Sequence, residues 1–127
     1  MIIDPSGQTV KETYKLLIGS ILPRPIAFVS TISAAGIPNL APYYFFTAVS
    51  SKPPVIGFAP SRKGPDGIKK DTLVNIEETG EFVVNVVTLD IAEPMNESAT
   101  AYPPEVNEFE EVGLTPIPAE IVKAPMV

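Results

Sequence analysis

A mainly β chain, forming a small barrel with short helices packed outside it, is the fold this sequence predicts. Fifteen prolines in 127 residues, against a usual share of about 5%, leave little room for long helices. Short apolar runs at 26–33, 43–49, 54–59 and 81–88 read as β structure and are separated by only brief helical patterns. The length fits one domain, residues 1–127, able to bury a core without disulfides.

Each element has a local reason. Over 9–18, Val10, Tyr14, Leu17 and Ile18 recur at helical spacing, Thr9 and Glu12 form a capping-box pattern, and Gly19 and Pro23 end the helix. Residues 26–33 read as a buried strand, and Ala34-Ala35-Gly36 as its turn. The 38–42 stretch is too proline-rich for a central strand and is expected to be a loop or irregular edge. Over 70–79 the pattern is helical, with Asp71 or Thr72 as N-cap, Leu73, Val74 and Ile76 inward, and Gly80 as the stop. Residues 81–88 read as the best strand, 90–99 as a short helix interrupted by Pro94, and 107–112 as a further turn of helix closed by Gly113. The tail, 115–127, is expected to be extended.

Composition excludes several chemistries. Without Cys or His, the chain has no thiol or imidazole catalysis and none of the usual zinc ligand sets. A net charge of −6 argues against wrapping nucleic acid. No run is long and apolar enough to span a bilayer, and no leader pattern opens the chain, so a soluble, cytoplasmic protein is expected. The charge is divided. Residues 1–70 hold eight of the nine Lys/Arg, and twelve of the fifteen Asp/Glu follow Lys70. The basic half therefore suits an anionic ligand, or else one face is simply acidic.

Ser61, Arg62, Lys70, Asp71 and Thr72 bracket a helix start, where a phosphate would find cations, a hydroxyl and the helix dipole. An ordinary capped helix with solvated lysines is the alternative, and Lys63 and Lys69 read as plain surface charges. Tyr43, Tyr44, Phe45 and Phe46 cannot all enter one core if the stretch is extended, so one pair faces a ligand wall or a dimer contact. Glu77/Glu78 and Glu110/Glu111 are sequence neighbours that diverge on helices and read as solvated. Asn75, Asn85 and Asn96 follow no usable pattern, and Met95 and Met126 read as filler. Gly64-x-x-Gly67 lacks the Lys-Ser/Thr of a phosphate-binding P-loop.

Several motifs in order, Pro23-Arg24-Pro25-Ile26-Ala27-Phe28-Val29-Ser30-Thr31, Asn39-Leu40-Ala41-Pro42-Tyr43, Ser50-Ser51-Lys52-Pro53-Pro54-Val55-Ile56-Gly57-Phe58 and Lys70-Asp71-Thr72-Leu73-x-Asn75-Ile76, resemble the flavin reductase-like, FMN-binding split-barrel family. Gly80-Glu81-Phe82-Val83-Val84-Asn85 and Ala101-Tyr102-Pro103-Pro104 extend the resemblance, which runs from about residue 14 to about 122. It implies a split β-barrel homodimer holding FMN, with FAD a possible substrate, near the subunit interface. Ser30, Thr31, Asn39, Ala41, Pro42, Tyr43 and Tyr44 would line the isoalloxazine and ribityl chain. Phe45 and Phe46 would wall the ring or the dimer contact, and Ser61, Arg62, Lys70, Asp71 and Thr72 would take the phosphate. NADH or NADPH would deliver a hydride to flavin N5 with no catalytic side chain required, and an oxygenase partner would receive the reduced flavin. The alternatives are an electron-carrying flavoprotein without free-flavin reductase activity, and a fragment with no competent site. Tyr44 stands where the family usually has Ser, and Thr47 where it often has Asn. Family members continue well past the equivalent of Val127, so the chain reads as the N-terminal part of a longer domain lacking its C-terminal strands.

Overall fold

A computed structural model describes residues 2–62 and 67–127. Lys63 and the Gly64-x-x-Gly67 spacing up to Asp66 lie outside the described residues. The first helix, α1 (Val10–Ser20), starts as expected. Thr9 caps it, its side chain accepting from the Glu12 amide while Glu12 reaches back to the Thr9 N–H. It passes through Gly19 to Ser20 and ends where the Arg24 guanidinium donates to the carbonyls of Ile18 and Ile21. None of its residues is buried.

Two antiparallel sheets follow. In the first, β1 (Ala27–Ile32) lies between β2 (Pro38–Tyr43) and β5 (Val83–Asn85). Its central place explains its unbroken apolar sequence, since both faces are covered. Ala27 and Val29 pack on one face with Tyr43, Phe46, Phe58, Phe82 and Val84, while Phe28 packs on the other with Leu40 and Phe109. The second sheet is the hairpin of β3 (Phe46–Ser51) and β4 (Pro54–Phe58), largely exposed along both strands.

The proline-rich 38–42 stretch is a regular edge strand, not a loop. Leu40 sends its N–H away from β1, to the Glu108 carboxylate at 3.2 Å. Pro38 and Pro42 stand two residues to either side, so their missing N–H groups fall on the same outer edge and the ladder loses nothing. The 43–46 aromatic run is not extended either. The chain bends at Tyr44 and Phe45, returning Phe46 to the core beside Tyr43.

Helix α2 (Asp71–Thr79) is capped by Lys70, one residue earlier than expected and without a side-chain cap bond, and stops at Gly80 in the left-handed region. Its buried residues are Thr72 and Asn75, whereas Leu73, Val74 and Ile76 are only half-buried. The expected strand over 81–88 shortens to β5. Pro94 does not interrupt α3 (Ala92–Glu97). It sits in the first turn, where no intrahelical N–H is required. Helix α4 (Glu108–Glu111) is capped by Asn107 and followed by Gly113 at positive φ, as expected. The tail is not extended throughout: it bends over 120–124 and doubles back, Ile117 and Met126 exchanging backbone hydrogen bonds at 2.9 and 2.7 Å. Its end is tied to β5, where Asn85 Nδ2 donates to Ser30 Oγ at 3.1 Å and Asn85 Oδ1 accepts from the Val127 N–H at 3.0 Å. Among the described residues no helix is long and apolar enough to cross a membrane.

Candidate functional site

Asn39 is the hub of a buried polar network that fixes α2 against the sheet. Its Oδ1 accepts from Thr72 Oγ1 at 2.7 Å and Thr31 Oγ1 at 3.3 Å, and its Nδ2 donates to Glu108 Oε1 at 2.6 Å. Asn75 Nδ2 completes the chain by donating to Thr31 Oγ1 at 3.0 Å. All five side chains are buried, so each polar group needs these partners. Burial pushes the Glu108 carboxyl above its ordinary range, the Leu40 and Asn39 donors opposing in part and Asp71 adding to the rise.

This network sets the start of α2 beside the bend at Tyr44, and two cavities of about 410 Å3 open there. Pro42, Tyr43, Tyr44 and Lys70 line both and form the wall between them. The first cavity runs past Asn39, Ala41, Asp71, Thr72 and Glu108 to the segment between Met95 and Tyr102. The second lies under α1 and is lined by Lys11, Tyr14, Phe45, Ser61 and Arg62. Their charges differ. Lys11, Arg62 and Lys70 face the second with no carboxylate among the described residues, whereas Asp71 and Glu108 face the first with Lys70 as its one described cation.

Consecutive tyrosines in the wall each carry a cation. The Lys70 ammonium lies 5.2 Å from the Tyr43 ring centre and the Arg24 guanidinium 5.2 Å from that of Tyr44. Tyr43 is 4% exposed, and its hydroxyl finds no hydrogen-bond partner among the described residues. Burial pushes this phenol up to about 12, with the Thr72 hydroxyl beside it opposing the rise and Asp71 and Glu108 adding to it. It is therefore a neutral, unsatisfied donor at the boundary of the two cavities. Tyr44 is also pushed up to about 12, by burial and by its contact with the Tyr14 hydroxyl.

The residues expected to form a site are thus divided. Asn39, Ala41, Pro42, Tyr43, Tyr44, Lys70, Asp71 and Thr72 meet around the first cavity, and Phe45, Ser61 and Arg62 join the wall residues around the second. Ser30, Thr31 and Phe46 line neither. Ser30 is fully buried and donates to the Pro125 carbonyl, Thr31 belongs to the Asn39 network, and Phe46 packs in the core. The Thr72 proton is committed to Asn39, so the hydroxyl holds the helix in place instead of donating to a ligand. Arg62 donates to the Gly67 carbonyl of its own loop at 2.7 Å. Lys69 is a surface charge as expected, paired with Glu77 at 2.6 Å. Glu108, Asn75, Tyr14 and Lys11 carried no motif. The Thr72/Asn75/Thr79 spacing, a polar stripe on one helix face, was the available sign that α2 buries hydrogen-bonding groups.

Residues 18–127 match the flavin reductase like domain. A protein of Halalkalibacterium halodurans is 49% identical over 125 residues, covering 98% of this chain and 59% of the relative. Nitrilotriacetate monooxygenase component B from Bacillus cereus superposes with a TM-score of 0.90 at 43% identity, covering 98% of this chain and 61% of that structure. For Pseudomonas fluorescens 2-nitrobenzoate 2-nitroreductase the TM-score is 0.83 at 36% identity, with 98% and 58% covered. The chain thus spans about three-fifths of the length of these relatives, whose fold it shares over that span. By domain match, sequence identity and fold, the chain belongs to the flavin reductase-like family.

Proposed function

We propose that this protein binds FMN and acts as an NAD(P)H-dependent flavin oxidoreductase. The cation-lined cavity carries the reading. Lys11, Arg62 and Lys70 converge on one chamber whose remaining walls include Tyr14, Tyr44 and Phe45, a combination suited to a planar ring bearing a phosphate. The unsatisfied Tyr43 hydroxyl supports it, since a ligand carbonyl or hydroxyl would meet its need.

In this reading Arg62 and Lys70 hold the phosphate, with Ser61 beside them, and Tyr44 and Phe45 wall the ring. Asn39 and Thr72 act one layer back, keeping α2 and its lysine in place. The bound flavin would supply the two-electron chemistry, which is why no side chain need serve as acid or base. NADH or NADPH is the proposed donor, and FAD a possible second substrate. The likeness to a monooxygenase component B supports an oxygenase as the acceptor of reduced flavin. A second copy of the chain, covering the exposed hairpin residues Val49, Val55 and Ile56, is the proposed partner, and the cytoplasm the proposed setting. The one-domain reading of residues 1–127 as the N-terminal part of a longer domain belongs to the same proposal.

The test is NADH and NADPH oxidation by the purified chain with and without added FMN. Oxidation that rises with FMN and saturates is expected. A yellow protein without such turnover would favour the electron-carrier alternative, and absence of both flavin binding and turnover would overturn the proposal.

A further inference from the structure

Tyr44 stands at the junction of the two cavities, its side chain held from three directions. Its ring lies under the Arg24 guanidinium at 5.2 Å and against Phe45 at 5.3 Å, and its hydroxyl meets that of Tyr14. Arg24 is itself tied to the Ile18 and Ile21 carbonyls at the end of α1. Swinging the ring aside would therefore break the Tyr14 contact, uncover the guanidinium and loosen α1 together. Across the wall the charged lining changes, from Lys11, Arg62 and Lys70 on one side to Asp71, Glu108 and the shared Lys70 on the other.

Resting on the flavin reading above, we propose that Tyr44 is a specificity-determining partition that makes the site favour mononucleotide over dinucleotide flavins. A ligand with one ring system and one phosphate fills the cation-lined chamber of about 410 Å3 without passing Tyr44. A dinucleotide must carry a second phosphate and a base onward. Its direct route into the neighbouring chamber crosses the wall that Tyr44 forms with Pro42, Tyr43 and Lys70, and the chamber beyond adds the Asp71 and Glu108 carboxyls to that lysine. Replacing the ring by a small side chain lowers that wall and opens the route toward the Asn96 side chain. Tyr44 thus acts by exclusion, the repulsive half of a specificity device.

The experiment is equilibrium titration of the 127-residue chain with FMN and with FAD, read by flavin fluorescence, for the wild type, Tyr44→Ser and Tyr44→Phe. Wild type is expected to favour FMN by about tenfold or more, and Tyr44→Ser to reduce that preference by about fivefold or more. Tyr44→Phe keeps the ring and is expected to keep the preference. Circular dichroism checks that Tyr44→Ser folds. If it does not, the wild-type and Tyr44→Phe ratios decide the matter. Equal affinity of the wild type or of Tyr44→Phe for the two flavins, or an unchanged ratio in folded Tyr44→Ser, overturns the partition and leaves the flavin reading standing. Binding of neither flavin by the wild type overturns both.

Discussion

The two sides of this molecule are held together by opposite means. Around β1 and β2 the structure is fixed by buried polar groups, with Thr31, Asn39, Thr72, Asn75 and Glu108 satisfying one another under a fully covered strand. Around α1 and the β3–β4 hairpin, apolar side chains face outward, Val10 at 89% exposure and Val49 at 64%, and local backbone bonds do most of the holding. The cavities lie on the seam. Their inner wall is held by Asn39, Thr72 and Glu108, each of which has a specific buried partner. The outer wall of the second cavity, α1, rests on the Tyr14–Tyr44 contact and on Arg24. A binding site built this way has a fixed floor and an adjustable cover.

The sharpest way to break the contrast is at its hub. Asn39→Leu leaves the Glu108 carboxyl and the Thr72 hydroxyl without their buried partners, and should cost about 3–5 kcal/mol in urea unfolding. Glu108→Gln is milder, about 1–3 kcal/mol, because a single amide oxygen cannot serve both Asn39 Nδ2 and the Leu40 N–H.

The same variant exposes a pH effect. Burial in the folded state raises the Glu108 pKa above its ordinary value of 4.5, so the folded chain binds that proton more tightly than the unfolded chain does. The stabilising contribution is complete below about pH 4.5 and is lost as pH rises through the raised folded value. The stability difference between wild type and Glu108→Gln should therefore fall with rising pH across that window. A difference that rises instead would contradict the burial argument.

On the other side the effects should be small and local. Thr9→Ala removes the capping box of α1 and should make that helix open more easily by about 1 kcal/mol. Hydrogen exchange should show faster α1 amides and unchanged amides in β1. Ile56→Thr, on the exposed hairpin, should shift the stability of the isolated chain by no more than about 0.5 kcal/mol, its larger effect falling on the proposed association with a second copy. A large loss there would show that the hairpin face is packed against something in solution.

The contrast also explains what could be read from the sequence. Caps, stops and the central strand were legible because their signals are local. Thr9 with Glu12, Gly80, Gly113 and the 26–33 run each act on residues within a turn or two of themselves. The inward face of α2 left only a faint local sign, the Thr72/Asn75/Thr79 stripe, because Thr72 and Asn75 are buried by virtue of Asn39 and Thr31, 33 and 44 residues away. Strand β2 was obscured by prolines whose cost depends on which edge they face, and that is settled by Glu108, 68 residues from Leu40. Of the candidate site, the cations and aromatics were visible as composition. Their division into two chambers was not, since it follows from the bend at Tyr44 and from Tyr14 arriving on α1.

The most direct test of the phosphate-binding chamber compares FMN with riboflavin, which has the same ring and ribityl chain without the phosphate. Wild type is expected to bind FMN at least about tenfold more tightly, the scale of one charge-assisted hydrogen bond, and the Arg62→Ala, Lys70→Ala double variant to lose most of that gap. Equal affinity of the wild type for FMN and riboflavin would contradict the assignment.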